Sequence, residues 1–212
     1  MSALLDLLYP PRCVLCHKFL LRSEPPFCDA CGSWLLRQRP VLRREKAFSL
    51  CVSPCLYVEP VRSSIHRFKF GGCRNYAKTY ARWLADSLSQ TEAFWDVLTW
   101  VPVSKKRRRE RGYDQGRELA RALGKLLGVE AVACLEKTKD NPAQSGIHDP
   151  AVRSSNVKNV YRAVDPASFA GKRVLVVDDV ITTGATLAEC ARVLRRSGAD
   201  SVICATVAAA GL

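Results

Sequence analysis

No apolar stretch in this 212-residue chain approaches the roughly 18 residues that a membrane-spanning helix requires, because Lys, Arg, Asp or Pro interrupts each of the longer ones. A membrane span is therefore not expected. The opening segment, Met1-Ser-Ala-Leu-Leu-Asp-Leu-Leu-Tyr-Pro10, has neither a basic n-region nor a small-residue cleavage site, so it reads as a short amphipathic helix rather than a secretory signal. Internal repeats and low-complexity tracts are also missing. Acidic residues are scarce: 20 Asp and Glu stand against 33 Lys and Arg, a formal net charge of +13. The resulting positive field attracts polyanions, whether nucleic acid, nucleotides or anionic membrane surfaces, without choosing among them. What is present suffices for a core, with 48% hydrophobic residues and a length that suits one medium domain plus a small appendage. With no signal and four of the ten cysteines in two CxxC pairs, reduced metal-binding thiolates in a cytoplasmic protein fit better than a disulfide framework.

Residues 11–40 are rich in Pro, Cys and Arg and carry no hydrophobic period. From Cys51 the texture changes. Cys51 to Tyr57 reads as a strand, Glu59-Pro60 opens a helix through about Phe70, and Gly71-Gly72 breaks it. Tyr76, Tyr80, Trp83, Leu84 and Leu88 share one helical face, as do Leu119, Leu123, Leu126 and Leu127 in a second helix ended by Gly128. Val97 to Val103 and Val129 to Leu135 read as strands, with a basic burst, Lys105 to Arg111, after the first. Lys137 to Val160 is a long polar segment of the kind that is functional or mobile. Lys172 to Val177 is a buried strand, Leu187, Cys190, Ala191 and Leu194 form a helix face closed by Gly198, and Ser201 to Ala208 is a last strand. Strands alternating with helices predict an α/β fold built on a parallel sheet. The expected division is 1–46, an N-terminal helix and four-Cys module, and 47–212, the α/β domain.

The densest signal is Val174-Leu-Val-Val-Asp-Asp-Val-Ile-Thr-Thr-Gly-Ala-Thr-Leu187: a buried strand, two acids at its carboxyl end, a Thr/Gly loop, then a helix. Ligands of open α/β sheets bind outside such strand ends. Free N–H groups and the dipole at the helix start favour a phosphate, and Gly184 lets the backbone approach it. Thr182, Thr183 and Thr186 add hydroxyls, and Ala185 adds a backbone donor. Two carboxylates, Asp178 and Asp179, would repel that phosphate if aimed at it, so sugar hydroxyls, directly or with Mg²⁺, are their natural partners. Val101-Pro102-Val103 would end a neighbouring strand, where Lys105 or, preferably, the forked guanidinium of Arg111 can meet a pyrophosphate. Taken alone, the same basic burst is more often a solvated or nucleic-acid-attracting face than a ligand site, and its place after the strand brings the two readings level.

Cys13-x-x-Cys16 and Cys28-x-x-Cys31 have the two-knuckle spacing of a structural Zn²⁺ site, whose four thiolates leave no open position for catalysis. The metal would replace the core that this segment lacks. A redox role is the weaker alternative, since no thioredoxin-like βαβ pattern surrounds either pair. Cys51, Cys55, Cys73, Cys134, Cys190 and Cys204 read as packing residues.

The Asp178 to Thr186 segment resembles the loop with which type I phosphoribosyltransferases hold 5-phosphoribosyl-1-pyrophosphate (PRPP), paired acids on the ribose hydroxyls and the Thr/Gly loop around the 5-phosphate. Together with the four-cysteine module, Phe68-Lys-Phe-Gly-Gly72, Val101-Pro102-Val103, Arg111-Gly-Tyr-Asp-Gln115 and the set Gln144, Arg153 and Asn156, it resembles the ComF family of competence proteins, related to the GntX group, over nearly the whole chain. The sequence departs from that family at Tyr113-Asp114, where Phe-Asn is commoner. The resemblance implies a type I phosphoribosyltransferase-like parallel sheet flanked by helices, a small N-terminal zinc module, binding of PRPP with Mg²⁺, and a part in the uptake of transforming single-stranded DNA alongside a competence helicase. Three roles follow: an enzyme that displaces pyrophosphate from PRPP, a sensor that binds PRPP or a nucleotide without chemistry, and a basic factor that handles single-stranded DNA, with Trp34, Trp83, Trp95 or Trp100 as stacking rings if they are not core.

Overall fold

The structure, a computed structural model, describes residues 10–21, 25–140 and 159–211. The expected opening helix and the set Gln144, Arg153 and Asn156 lie outside the described residues.

A parallel sheet forms the centre. Its strands are β1 (Val41–Glu45), β2 (Phe48–Ser53), β3 (Cys55–Leu56), β4 (Val97–Trp100), β7 (Arg173–Ile181) and β8 (Ser201–Ala209). They lie in the order β1-β2-β8-β7-β4, with β3 continuing the pairing on β8. All neighbours are parallel except β1, which turns back antiparallel on β2. Because β7 and β8 are central and covered on both faces, they are continuous apolar runs rather than alternating ones. β1 lies before the expected boundary at 46/47, yet it hydrogen-bonds to β2, so the sheet begins on the N-terminal side of that boundary.

Strand alternation sends Leu175 and Val177 to one face and Val174 and Val176 to the other. The first face is covered by α2 (Val61–Phe70), α3 (Tyr76–Leu88) and α5 (Gln115–Leu127). The second is covered by α6 (Ala185–Arg196) and a two-stranded sheet of β5 (Leu135–Lys137) and β6 (Tyr161–Ala163). The predicted stripe of α3 is buried in full, as are Leu187, Cys190, Ala191 and Leu194 of α6. Leu119 and Leu123 of α5 are buried, whereas Leu126 and Leu127 are exposed in its last turn. No helix among the described residues is long and apolar enough to cross a membrane.

Two segments differ from the sequence expectation. No strand runs from Val129 to Leu135: the Val129 N–H still bonds to the Gly124 carbonyl, so the chain is still leaving α5 there. It touches β4 through one bridge, Ala131 with Leu98, then turns away to pair β5 with β6. The basic burst is itself a helix, α4 (Lys105–Arg111), capped by Ser104 and stopped by Gly112 in the left-handed region at φ 76°.

The cysteine segment is docked on the first face of the sheet. After Cys28 comes α1 (Asp29–Leu36), and Val14, Leu15 and Leu20 are buried in the same cluster as α2 and α3. Phe27 stacks on Trp83 at 5.3 Å, the Ser64 hydroxyl donates to the Val14 carbonyl at 2.5 Å, and Arg67 donates to the Leu15 carbonyl.

Candidate functional site

The carboxyl ends of β4 and β7 and the start of α6 bring the sequence-predicted residues into one region. At the end of β7 the two acids diverge. Asp178 follows the Val174 and Val176 series and is partly open, while Asp179 follows Leu175 and Val177 inward and is 3% exposed. Asp179 is gripped from both sides: Lys69 Nζ of α2 lies 2.6 Å from Oδ1, and Gln115 Nε2 of α5 donates to Oδ2 at 3.1 Å. Asp178 Oδ1 accepts from the Asp179 N–H at 2.8 Å. Burial first, and the neighbouring Asp179 charge second, raise the Asp178 carboxyl to about 8.

The Thr/Gly loop turns from β7 into α6 through Gly184, whose φ of 79° lies in the left-handed region. A side chain there would also collide with Glu45, since a Cβ would stand 2.5 Å from its Oε1. Arg43 on the same β1 hairpin donates to the Thr182 carbonyl at 2.5 Å and pairs with Glu45 at 2.8 Å. The Thr183 hydroxyl accepts from the Ala185 N–H at 3.4 Å, at the first turn of α6. Thr186 lies within that same turn.

On the β4 side, Ser104 accepts from the Arg107 N–H at 3.2 Å and donates to Asp140 at 2.5 Å. Lys105 opens α4 and is exposed. Arg111 closes α4, donates to Gln115 Oε1 at 2.8 Å and lays its guanidinium 4.7 Å from the Phe70 ring centre. Asp114, where the sequence departs from the commoner Asn, caps α5 through the Arg117 N–H at 3.0 Å and takes the Val103 N–H on its other oxygen at 3.1 Å. Two acceptor oxygens serve two backbone donors, a task for which a carboxylate is suited and an amide offers one oxygen. Burial raises the Asp114 carboxyl, against those hydrogen bonds.

Sequence reasoning gave no role to Lys69 or Gln115, although both sit in segments that carried the resemblance; their partner Asp179 is 110 and 64 residues away in the chain. It also passed over Lys137, which burial, with Arg107 nearby, lowers to about 8. The spacing of Arg111 and Gln115, four apart across a Gly turn, was the one local signal available.

Apart from this region, Cys13, Cys16, Cys28 and Cys31 converge so that their sulfur atoms all lie within 4.8 Å of one another, and they can hold a metal ion. Of the other six cysteines, Cys73 is partly exposed and the rest are buried. Trp83 and Trp100 are buried, and Trp34 and Trp95 pack partly buried against the first core cluster.

Residues 110–211 match the phosphoribosyl transferase domain family. Competence protein F of Haemophilus influenzae is 30% identical over 168 residues, covering 76% of this chain and 73% of that protein. The DNA utilization protein YhgH of Escherichia coli K12 is 28% identical over 167 residues, covering 76% and 72%. Competence protein ComFC of Streptococcus pneumoniae is 26% identical over 146 residues, covering 69% and 62%. With the α/β sheet, the acidic strand end and the N-terminal four-cysteine cluster combined in one chain, these likenesses establish that the chain belongs to the ComF family of competence proteins, with a phosphoribosyltransferase-like domain.

Proposed function

We propose that the chain binds PRPP with Mg²⁺ at the β7 to α6 turn and serves the uptake or use of DNA in the cytoplasm. The observation that carries the reading is the layout of charge. Backbone donors at the start of α6, around Gly184, suit the 5-phosphate. Asp178, the more open of the acidic pair, suits the ribose hydroxyls, and Arg111 and Lys105 stand on the β4 side where a pyrophosphate group would project. One Asp178 oxygen already accepts a backbone N–H, and the other would offer the hard ligand that Mg²⁺ takes beside phosphate oxygens, the cation displacing the proton that burial holds on the free carboxyl at neutral pH. Mg²⁺ would supply charge to the pyrophosphate; the protein's own residues hold and orient the sugar. The role in DNA uptake or use rests on the names of the relatives and on α4, where six of seven residues are basic and Lys105, Lys106, Arg108 and Arg109 are exposed, a face suited to the phosphates of a single strand.

The four thiolates are read as a structural Zn²⁺ site. A tetrahedron with arms of about 2.3 Å has sulfur to sulfur edges of about 3.8 Å, and Cys16 Sγ and Cys28 Sγ stand 3.6 Å apart. Zinc there would hold the knuckle against α2.

Calorimetric titration of Mg-PRPP tests the reading. Wild type should bind, and Asp178→Asn should weaken binding at least about tenfold, the loss of one charge-assisted contact. Wild type that takes up no PRPP defeats the proposal.

A further inference from the structure

Both oxygens of Asp179 are engaged from within the protein: Lys69 holds one and Gln115 the other, and the group is sealed at 3% exposure. Gln115 is itself 5% exposed, and its amide has one possible orientation. A carboxylate accepts and a guanidinium donates, so the NH₂ must face Asp179 and the carbonyl oxygen must face Arg111. Arg111 is then held a second time by the ring of Phe70, and Phe70 is the neighbour of Lys69 on α2. The contacts close on themselves: Asp179 to Gln115, Gln115 to Arg111, Arg111 to Phe70, and through the last turn of α2 back to Lys69 and Asp179.

We infer that this ring is a positioning device in which Asp179 and Gln115 act from behind the site, fixing the fork of Arg111 for the pyrophosphate end of the ligand, while Asp178 alone of the acidic pair meets the ribose. The inference rests on the PRPP reading above and divides the labour within it. Its physical basis is preorganisation. An arginine free on a helix end must be immobilised when it meets a pyrophosphate, whereas one already tethered by an amide and a ring is not. The net charge of the ring also matters. Asp179 offsets Lys69 locally, so the Arg111 charge remains for the ligand.

The test compares two ligands that differ only in pyrophosphate. Affinities of Mg-PRPP and of ribose 5-phosphate are measured by calorimetry for wild type, Gln115→Met and Phe70→Leu. Gln115→Met keeps the length of the side chain and removes both hydrogen bonds. Phe70 is 57% exposed, so Phe70→Leu folds even if the buried substitution does not. Both variants should lose PRPP affinity on the order of tenfold, the cost of reordering one long side chain, and keep ribose 5-phosphate affinity within about twofold. Asp178→Asn should weaken both ligands together. Equal losses for both ligands in Phe70→Leu, or undiminished PRPP affinity, would show that the ring is structural and overturn the inference while leaving the PRPP reading intact. Wild type that binds neither ligand would end both.

Discussion

Replacing Lys69 by Met tests how much of the fold's stability is tied to the acidic strand end. Lys69 Nζ lies 2.6 Å from Asp179 Oδ1, with side-chain exposures of 23% and 5%. Met keeps the length and apolar stem of Lys but leaves a sealed carboxylate with the neutral Gln115 amide as its side-chain donor. Removing one partner of a buried pair costs about 3–5 kcal/mol. Because Lys69 is about a quarter exposed, water can replace part of its charge, and we expect a cost below that range, about 2–3 kcal/mol. For a chain of this size that lowers the melting temperature by about 4–12 °C. The reverse substitution, Asp179→Asn, leaves a lysine able to turn to solvent and should cost less. Lys69→Met combined with Asp179→Asn should melt above Lys69→Met alone, since no buried charge then remains. Thermal unfolding followed by circular dichroism at neutral pH measures all four proteins. A Lys69→Met protein that melts within about 1 °C of wild type, or a double variant no more stable than the single one, would refute the reasoning.

The raised Asp178 carboxyl gives a pH signature. The unfolded chain releases this proton near pH 4 and the native protein only near 8, so the unfolded state binds fewer protons in between and native stability falls as pH rises through that window. Asp178→Asn should therefore gain nothing near pH 4 and melt above wild type at pH 8.5 in a buffer-matched melting series; an equal offset at both pH values contradicts the assignment. Stripping metal with a chelator should lower the melting temperature by about 8–16 °C if free zinc exceeds its Kd about a thousandfold, and Cys16→Ser should reproduce the fall with less bound zinc by elemental analysis. Unchanged melting would remove the structural role. For DNA, reversing Arg108 and Arg109 to Glu should flatten the dependence of log affinity on log salt for an oligo-dT probe by at least about 1.4, two phosphate contacts at about 0.7 each. An unaltered slope places the strand elsewhere.

The parts of this molecule that were legible in the sequence are those whose cause is local. The β7 to α6 segment reads as strand, loop and helix because burial, turn and cap chemistry all act within 14 consecutive residues, and the two CxxC pairs announce themselves by spacing. Local signals failed where tertiary contacts decide. Lys105–Arg111 places six positive charges on seven residues, which repel one another on an isolated helix; Ser104 and Gly112 mark its ends locally, but Arg111 is also held by Phe70, far away in the chain. β1 reads poorly as a strand because Arg43, Arg44 and Glu45 occupy most of it. It pairs only because β2 lies alongside, and its charges suit an edge.

The acidic pair shows the same limit at the level of function. In sequence, Asp178 and Asp179 are equivalent neighbours, and any motif treats them as one unit. A strand places consecutive side chains on opposite faces, so no two adjacent acids on β7 can share an environment. One face offers Lys69 and Gln115, brought there by α2 and α5; the other, under α6 and the β5–β6 pair, leaves Asp178 partly open. The difference between a group that holds the ligand and a group that holds the machinery thus arises from which helix covers which face, and that is settled by residues far away in the chain. The adjacency that makes the motif recognisable is therefore also what conceals its division of labour.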